Sequence, residues 1–341
     1  MPKRLSTILL AIISAGLLFG AITYLRSNLP LPSTHKPAPA KPLDKYSIPA
    51  LQKTTFQPSD VTIGKPLELG VASQTYQFFY SDNFAPNKRI SGTIMLPSQP
   101  GRYPVILMLR GWADEKVYYP GYGTKNAASY FAQRGFITIA PDFLGYGDSD
   151  PYSRDFAEAR FQMYTSTLTL LASVKNVGPA LEQAGIAGYE PDTDQLGMWG
   201  HSNGGQVALT VLAVSKQPIP TVLWAPVTLQ LPDNILHYAT DQPDSGMLIK
   251  KIVSNFVTEY DEQTFSMTNY TSDITAPLQL HQGSADEAVP QAWNDNFVAQ
   301  LKEQGKDVTY YVYPQADHNM RPDWGTVIAR DVAWLQERVL K

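Results

Sequence analysis

From Pro104 onward the chain alternates short apolar runs with longer stretches in which apolar residues recur every three or four positions. The clearest run, Pro104–Leu109 (PVILML), has no polar position and stops at Arg110-Gly111. A strand without a polar face needs cover on both sides, which is the condition of a parallel sheet flanked by helices. The same pattern predicts strands at Phe136–Ala140, Gln195–Trp199, Thr221–Trp224, Leu278–His281 and Val308–Tyr313. Helices are predicted at Lys125–Arg134, from about Ser166 to Ala184, and at Asn203–Val214, Gln291–Gln304 and Trp324–Leu340, with Gly135 and Gly185 placed to end the first two. Upstream, Tyr76–Tyr80 and Arg89–Leu96 read as strands joined through Pro86 and Asn87. Strand and helix in alternation predict an α/β architecture.

One stretch breaks the alternation. Between about Thr228 and Thr275 no strand pattern is visible, and Tyr238, Phe256, Tyr260, Phe265 and Tyr270 recur. This predicts a helical, lid-like insertion above the carboxyl ends of the strands, where open α/β sheets bind ligands. Its aromatic residues are expected to pack the insertion's own core.

The N-terminus has a different pattern. Lys3 and Arg4 precede an uncharged run, Leu5–Leu25, closed by Arg26. About 21 residues at a rise of roughly 1.5 Å cover about 31 Å, enough for a bilayer's hydrocarbon core and longer than a secretory apolar stretch. Positive charge ahead of the run favours keeping that end in the cytoplasm. Residues 1–27 are therefore expected to be an uncleaved anchor with the folded domain outside; the alternative is secretion after signal cleavage. Residues 28–50, with Pro30, Pro32, Pro37, Pro39, Pro42 and Pro49, are expected to form an extended tether. The folded domain is expected to occupy 51–341.

Composition adds exclusions. A hydrophobic share of 43% and a charged share of 17% suit a globular core, and the net charge of −4 argues against nucleic-acid partners. The chain has no cysteine, which removes disulfides, thiolate metal sites and cysteine nucleophiles.

The chemistry concentrates in Gln195-Leu-Gly-Met-Trp-Gly-His-Ser-Asn-Gly-Gly205, where Gly200-x-Ser202-x-Gly204 follows a predicted strand and precedes a predicted helix. That context identifies a nucleophile elbow, in which a sharp turn pushes Ser202 out at a helix N-terminus. A serine hydroxyl needs a base. Of the five histidines, His35 falls in the tether, His237 in the insertion and His281 inside a strand, while His201 faces away from its neighbour Ser202. His318, in a loop between the last strand and the last helix, remains. Asp286, in a loop after a strand, is favoured to orient His318, with Glu287 and Asp317 as rivals. The backbone N–H groups of Asn203 and Trp112 are expected to form the oxyanion hole.

With these motifs and with Pro141-Asp-Phe-Leu-Gly-Tyr-Gly-Asp-Ser149 the chain resembles the α/β-hydrolase superfamily, in particular its prolyl-oligopeptidase-like and dienelactone-hydrolase-like branch. The resemblance spans roughly Val105 to Lys341. It implies the α/β-hydrolase fold, a mostly parallel sheet with helices on both faces, and a triad in the order serine, acid, histidine. Two departures stand out. Arg110-Gly111 replaces the branch's common His-Gly, and about fifty residues between tether and core strands are too few for the β-propeller of large oligopeptidases. The expected activity is therefore hydrolysis of a carboxylic ester, with a short peptide as the alternative substrate and a non-catalytic binding protein as the remaining reading. Asp142, Asp148, Asp192 and Asp194 read as turn residues rather than metal ligands, and without a phosphate loop or dinucleotide fingerprint no cofactor is expected.

Overall fold

The all-apolar run at Pro104–Leu109 has a direct structural cause. Val105, Leu107 and Leu109 point into one hydrophobic core, while Ile106 and Met108 point into a second on the opposite face. Both faces of the strand are dry, so no polar position survives between them. The computed structural model describes residues 41–84, 88–240 and 243–340.

The strands are β1 (Thr62–Leu69), β2 (Ser73–Asp82), β3 (Lys88–Pro97), β4 (Gly101–Leu109), β5 (Ile137–Pro141), β6 (Tyr189–His201), β7 (Thr221–Trp224), β8 (Leu278–Gly283) and β9 (Val308–Tyr313). They form one sheet in the order β1-β2-β3-β5-β4-β6-β7-β8-β9. β1, β2, β3 and β5 are joined by antiparallel pairings, and every pairing from β5 through β4 to β9 is parallel.

The helices are α1 (Ile48–Gln52), α2 (Lys125–Ala132), α3 (Phe156–Ser173), α4 (Val177–Gln183), α5 (Asn203–Ser215), α6 (Asp233–Ala239), α7 (Met247–Glu259), α8 (Gln291–Glu303) and α9 (Trp324–Val339). α2 and α9 cover one face through Phe131, Val327 and Leu335, and α3 and α5 cover the other through Leu168, Val207 and Val211. Among the described residues no helix is long and apolar enough to cross a membrane. The expected anchor at Leu5–Leu25 lies outside the described residues.

Several boundaries differ from the sequence reading. β1 is an edge strand that no alternation announced, because it carries Gly64 and Pro66 and its residues stay half-buried or exposed. The helix expected from about Ser166 begins ten residues earlier, where the Asp155 side chain accepts a hydrogen bond from Glu158 N and caps it. It then breaks at a 3₁₀ turn, Val174–Asn176, before α4. The spacer expected to reach Ala50 gives way sooner: the compact unit starts at Leu43, and Tyr46, Ile48 and Leu51 are buried in its core.

The insertion after β7 is helical, with α6, α7 and two 3₁₀ segments. Phe256 packs on Tyr260 and Phe265, and all of these rest on Phe161 of α3 directly or through Phe265. These aromatics build a local core, as their spacing suggested. Tyr238 is the exception: its hydroxyl donates to Ala288 O at 2.9 Å, tying the insertion to the loop that carries Asp286.

Candidate active site

β6 runs straight into α5, and Ser202 is the junction. Its backbone sits at φ 56°, ψ −122°, a conformation that carries of order 1–3 kcal/mol of strain for a residue with a Cβ. The surroundings enforce it: Ser202 N donates to Trp224 O at 2.9 Å, and Ser202 O accepts from Gly205 N at 3.0 Å and Val227 N at 3.1 Å. The first turn of α5 presses on the end of β4. A Cβ at Gly204 would lie 2.0 Å from Leu109 O, so only glycine fits there.

His318 and Asp286 meet as the spacing after β8 and β9 suggested. His318 Nδ1 lies 2.8 Å from Asp286 Oδ2, with the carboxylate fully buried and the imidazole partly exposed. A carboxylate can only accept, so Nδ1 carries the proton and Nε2 keeps a free lone pair. The other carboxylate oxygen, Oδ1, accepts from Ala288 N at 2.9 Å and Val289 N at 2.8 Å. Of the rivals, Asp317 is engaged with Arg321 at 2.9 Å, and among the described residues the ion pair of His318 is with Asp286 and not with Glu287.

Behind Asp286 stands a buried amide chain. Gln282 Nε2 donates to Asp286 Oδ2 at 3.2 Å, Asn294 Nδ2 donates to Gln282 Oε1 at 2.6 Å, and Thr228 Oγ1 donates to Asn294 Oδ1 at 2.9 Å. Sequence reading passed over Gln282 and Asn294. A glutamine at the end of an otherwise buried strand, four residues before the acid, was the available signal.

His201 holds the histidine loop rather than acting on Ser202. Its Nε2 donates to the backbone oxygen of His318 at 2.9 Å, and the two rings lie 4.6 Å apart. Burial, reinforced by the neighbouring His318, pushes its pKa down to about 4. An unfolded histidine titrates near 6.5, so between these values the unfolded chain takes up a proton that the folded one refuses. Stability is therefore complete above about pH 6.5 and falls, by an amount of order 3 kcal/mol, as the pH drops towards 4. Urea denaturation midpoints measured across this window should decline, and His201→Gln should flatten the decline.

The loop after β4 packs directly on Ser202: a Cβ at Gly111 would lie 3.0 Å from Ser202 Cβ. Arg110, where the branch often has histidine, is buried and donates through Nη1 to Gly111 O at 2.9 Å and through Nη2 to Asp142 O at 2.7 Å. Its guanidinium stacks 4.0 Å from the Tyr146 ring centroid and 4.8 Å from that of Tyr118. In a planar trans peptide the C=O and N–H point in opposite directions. By fixing Gly111 O, Arg110 therefore fixes the aim of the Trp112 N–H. With the Trp112 N–H as the expected oxyanion donor, Arg110→Met should lower kcat about 10–100-fold while KM changes little, since a mis-aimed donor affects the transition state more than the bound substrate. Steady-state kinetics on variants of native circular dichroism check this, with Arg110→Lys expected in between.

Among the described residues the Ser202 hydroxyl makes no hydrogen bond. In free serine hydrolases that contact is often long and tightens once substrate is bound. Asp142 is buried, accepts from Ser91 Oγ and Tyr118 Oη, and has its pKa raised by burial. Asp148 accepts from Gln77, and Asp192 is engaged with Arg102.

A family model described as the prolyl oligopeptidase family matches residues 122–340. The chain is 23% identical over 235 residues to dipeptidyl peptidase family member 6 of Caenorhabditis elegans, covering 67% of this chain and 29% of that one. It is 24% identical over 230 residues to dipeptidyl aminopeptidase BIII of Pseudoxanthomonas mexicana, covering 64% and 31%. The chain thus spans less than a third of the length of these curated relatives. Acetyl xylan esterase 1 from Thermoanaerobacterium sp. JW/SL YS485 superposes with a TM-score of 0.60 at 17% identity, covering 86% of this chain and 93% of that one. The last likeness shows the α/β-hydrolase fold.

Proposed function

The chain belongs to the prolyl oligopeptidase family, and from that premise we propose that it hydrolyses carboxylic esters through an acyl-enzyme formed on Ser202. The observation that carries the reading is a strained serine at the elbow whose neighbour His201 is bonded to the backbone of His318, a histidine whose Nδ1 is held by a buried carboxylate at 2.8 Å. Ser202 Oγ attacks the ester carbonyl while His318 Nε2 takes its proton. Asp286 keeps the tautomer and stabilises the imidazolium. The N–H groups of Asn203 and Trp112 receive the negative charge on the carbonyl oxygen. His318 then returns the proton to the departing alcohol, and water repeats the sequence to release the acid.

An ester is preferred over a peptide because the carboxylates around the site are committed: Asp286 to His318, Asp142 to Ser91 and Tyr118, Asp317 to Arg321. None of these three offers an anchor for a substrate's ammonium group. A short-peptide substrate is the second reading, favoured by the dipeptidyl peptidase names of the curated relatives. The uncharged run at the N-terminus supports placement at a membrane with the catalytic unit outside the cytoplasm, or secretion after cleavage.

A fluorophosphonate probe should label Ser202 in the folded protein. A panel of 4-nitrophenyl esters graded in acyl length, run beside dipeptidyl 4-nitroanilides, should give turnover on the esters at least tenfold above the anilides. Faster anilide cleavage would replace the ester reading with the peptidase one, and absence of labelling would remove both.

A further inference from the structure

Beneath the strand ends, on the face covered by α2 and α9, lies a second histidine–carboxylate pair that the catalytic steps leave unused. His281 on β8 and Asp331 on α9 are both fully buried, and Trp224 on β7 and Tyr313 on β9 nearly so. Trp224 Nε1, which can only donate, gives its proton to Asp331 Oδ2 at 2.8 Å. His281 Nε2 lies 2.9 Å from Asp331 Oδ1 and 3.1 Å from Gln279 Oε1, so its proton is shared between two acceptors. Nδ1 is then the lone-pair nitrogen, and it faces Tyr313 Oη at 2.8 Å. Arg330, a donor only, supplies Tyr313 Oη at 2.9 Å, which leaves the hydroxyl's own hydrogen for Nδ1. Burial raises the pKa of Asp331, while His281, Trp224 and Trp199 pull it down, so an indole of β6 acts on the same carboxyl.

Each strand in this network leads into a piece of the catalytic arrangement. Trp224 O accepts from Ser202 N at 2.9 Å, one of the bonds that hold the elbow. His281 O accepts from Ala225 N at 2.8 Å, and the next residue is Gln282, whose Nε2 donates to Asp286. Tyr313 O accepts from Ser284 N at 2.9 Å in the Asp286 loop, and the chain beyond Tyr313 carries His318. One carboxyl on α9 therefore ties β7 and β8 directly, and β9 through His281. Buried hydrogen bonds are directional and costly to leave unmade, so they fix a spacing more sharply than apolar contact does.

We propose that Asp331 is a positioning residue for the triad: through Trp224, His281 and Tyr313 it sets the spacing at which the strand ends present Ser202, Asp286 and His318 to one another. Being fully buried, it acts only through these side chains. Asp331→Asn removes one of its two acceptors. One oxygen and one NH₂ then face the N–H groups of Trp224 and His281, so a donor meets a donor and one side chain must move. The effect on turnover rests on the ester-hydrolase reading; the coupling of Asp331 to the His318–Asp286 pair does not.

Three readings on the full chain separate these claims: kinetics on 4-nitrophenyl butyrate, urea midpoints, and the far-downfield proton NMR signal of His318 Nδ1–H, assigned by its loss in His318→Gln. Asp331→Asn should lower kcat about 10–100-fold and Trp224→Phe about 3–10-fold, with KM within about threefold, because a misplacement of about 1 Å at the reacting groups costs rate more than binding. The signal should shift or broaden in both. Val327→Ala, an apolar truncation buried in the same helix, should lose stability yet keep kcat within about twofold and the signal in place. An unmoved signal in Asp331→Asn overturns the proposal, whether or not kcat falls. Changes of equal size in Val327→Ala at a matched urea midpoint overturn it as well. Should Asp331→Asn fail to fold, Trp224→Phe decides by the same criteria. A signal that moves as expected, in a wild-type protein that turns over no ester, upholds the positioning role and sinks the ester-hydrolase reading.

Discussion

Ser202→Ala should reduce turnover of 4-nitrophenyl butyrate by about 10⁴–10⁶-fold, leaving only the residual rate that oxyanion donors and binding supply over water, about 10³–10⁴. The alanine keeps the Cβ, so the elbow's φ 56° strain and its backbone hydrogen bonds are preserved and the fold should be unaffected. The loss is therefore one of chemistry: without Oγ no acyl-enzyme can form, whatever His318 and Asp286 do. Burst kinetics should disappear together with steady-state turnover. A variant that keeps even a tenth of the wild-type rate would exclude Ser202 as the nucleophile.

Asp286→Asn should lower kcat about 10⁴-fold at neutral pH with a much smaller change in KM. The asparagine is isosteric, but an amide NH₂ placed at the Oδ2 position would donate to Nδ1. That turns the ring to the tautomer with its proton on Nε2, where the lone pair is needed. The alternative flip, with the amide oxygen towards His318, sets its NH₂ against the N–H groups of Ala288 and Val289, which donate at 2.9 and 2.8 Å. Neither orientation satisfies all partners, so the variant should also be less stable, by about 1–3 kcal/mol. Stopped-flow acylation rates and urea midpoints would read the two effects separately. Equal losses in Glu287→Gln, with Asp286→Asn active, would reassign the acid.

The differences between sequence and structure have local causes. The elbow was legible because part of its constraint is short-range: strand, glycine, serine, glycine and helix lie within a few residues, and a Cβ at Gly200 would lie 2.8 Å from Gly204 O in the same turn. The buried run of β4 was legible because dryness on both faces leaves no polar residue from Pro104 to Leu109. α3 was read ten residues short because its first turns carry charged and polar positions, and the capping bond from Asp155 carries no apolar period. β1 escaped because an exposed edge strand has nothing to bury. Arg110 was visible in the sequence as a departure from the family's pattern, but its task was not.

The chain's local order was enough to state the fold class, the identity of the three side chains proposed for catalysis and their sequence along the strands. The fold class follows from periodicity and Ser202 from a turn between strand and helix, while His318 came by elimination among five histidines and Asp286 by its place in a loop after a strand. What required the folded arrangement was every relation between groups far apart in number: Asp286 meeting His318, Thr228 reaching Asn294 behind the acid, Arg110 held on Asp142 O, and His201 turned from Ser202 to the His318 loop. Hydrogen bonds have a reach of about 3 Å and a fixed direction, so their partners are chosen by how strands and loops come to lie in space, and no pattern along the chain records that choice.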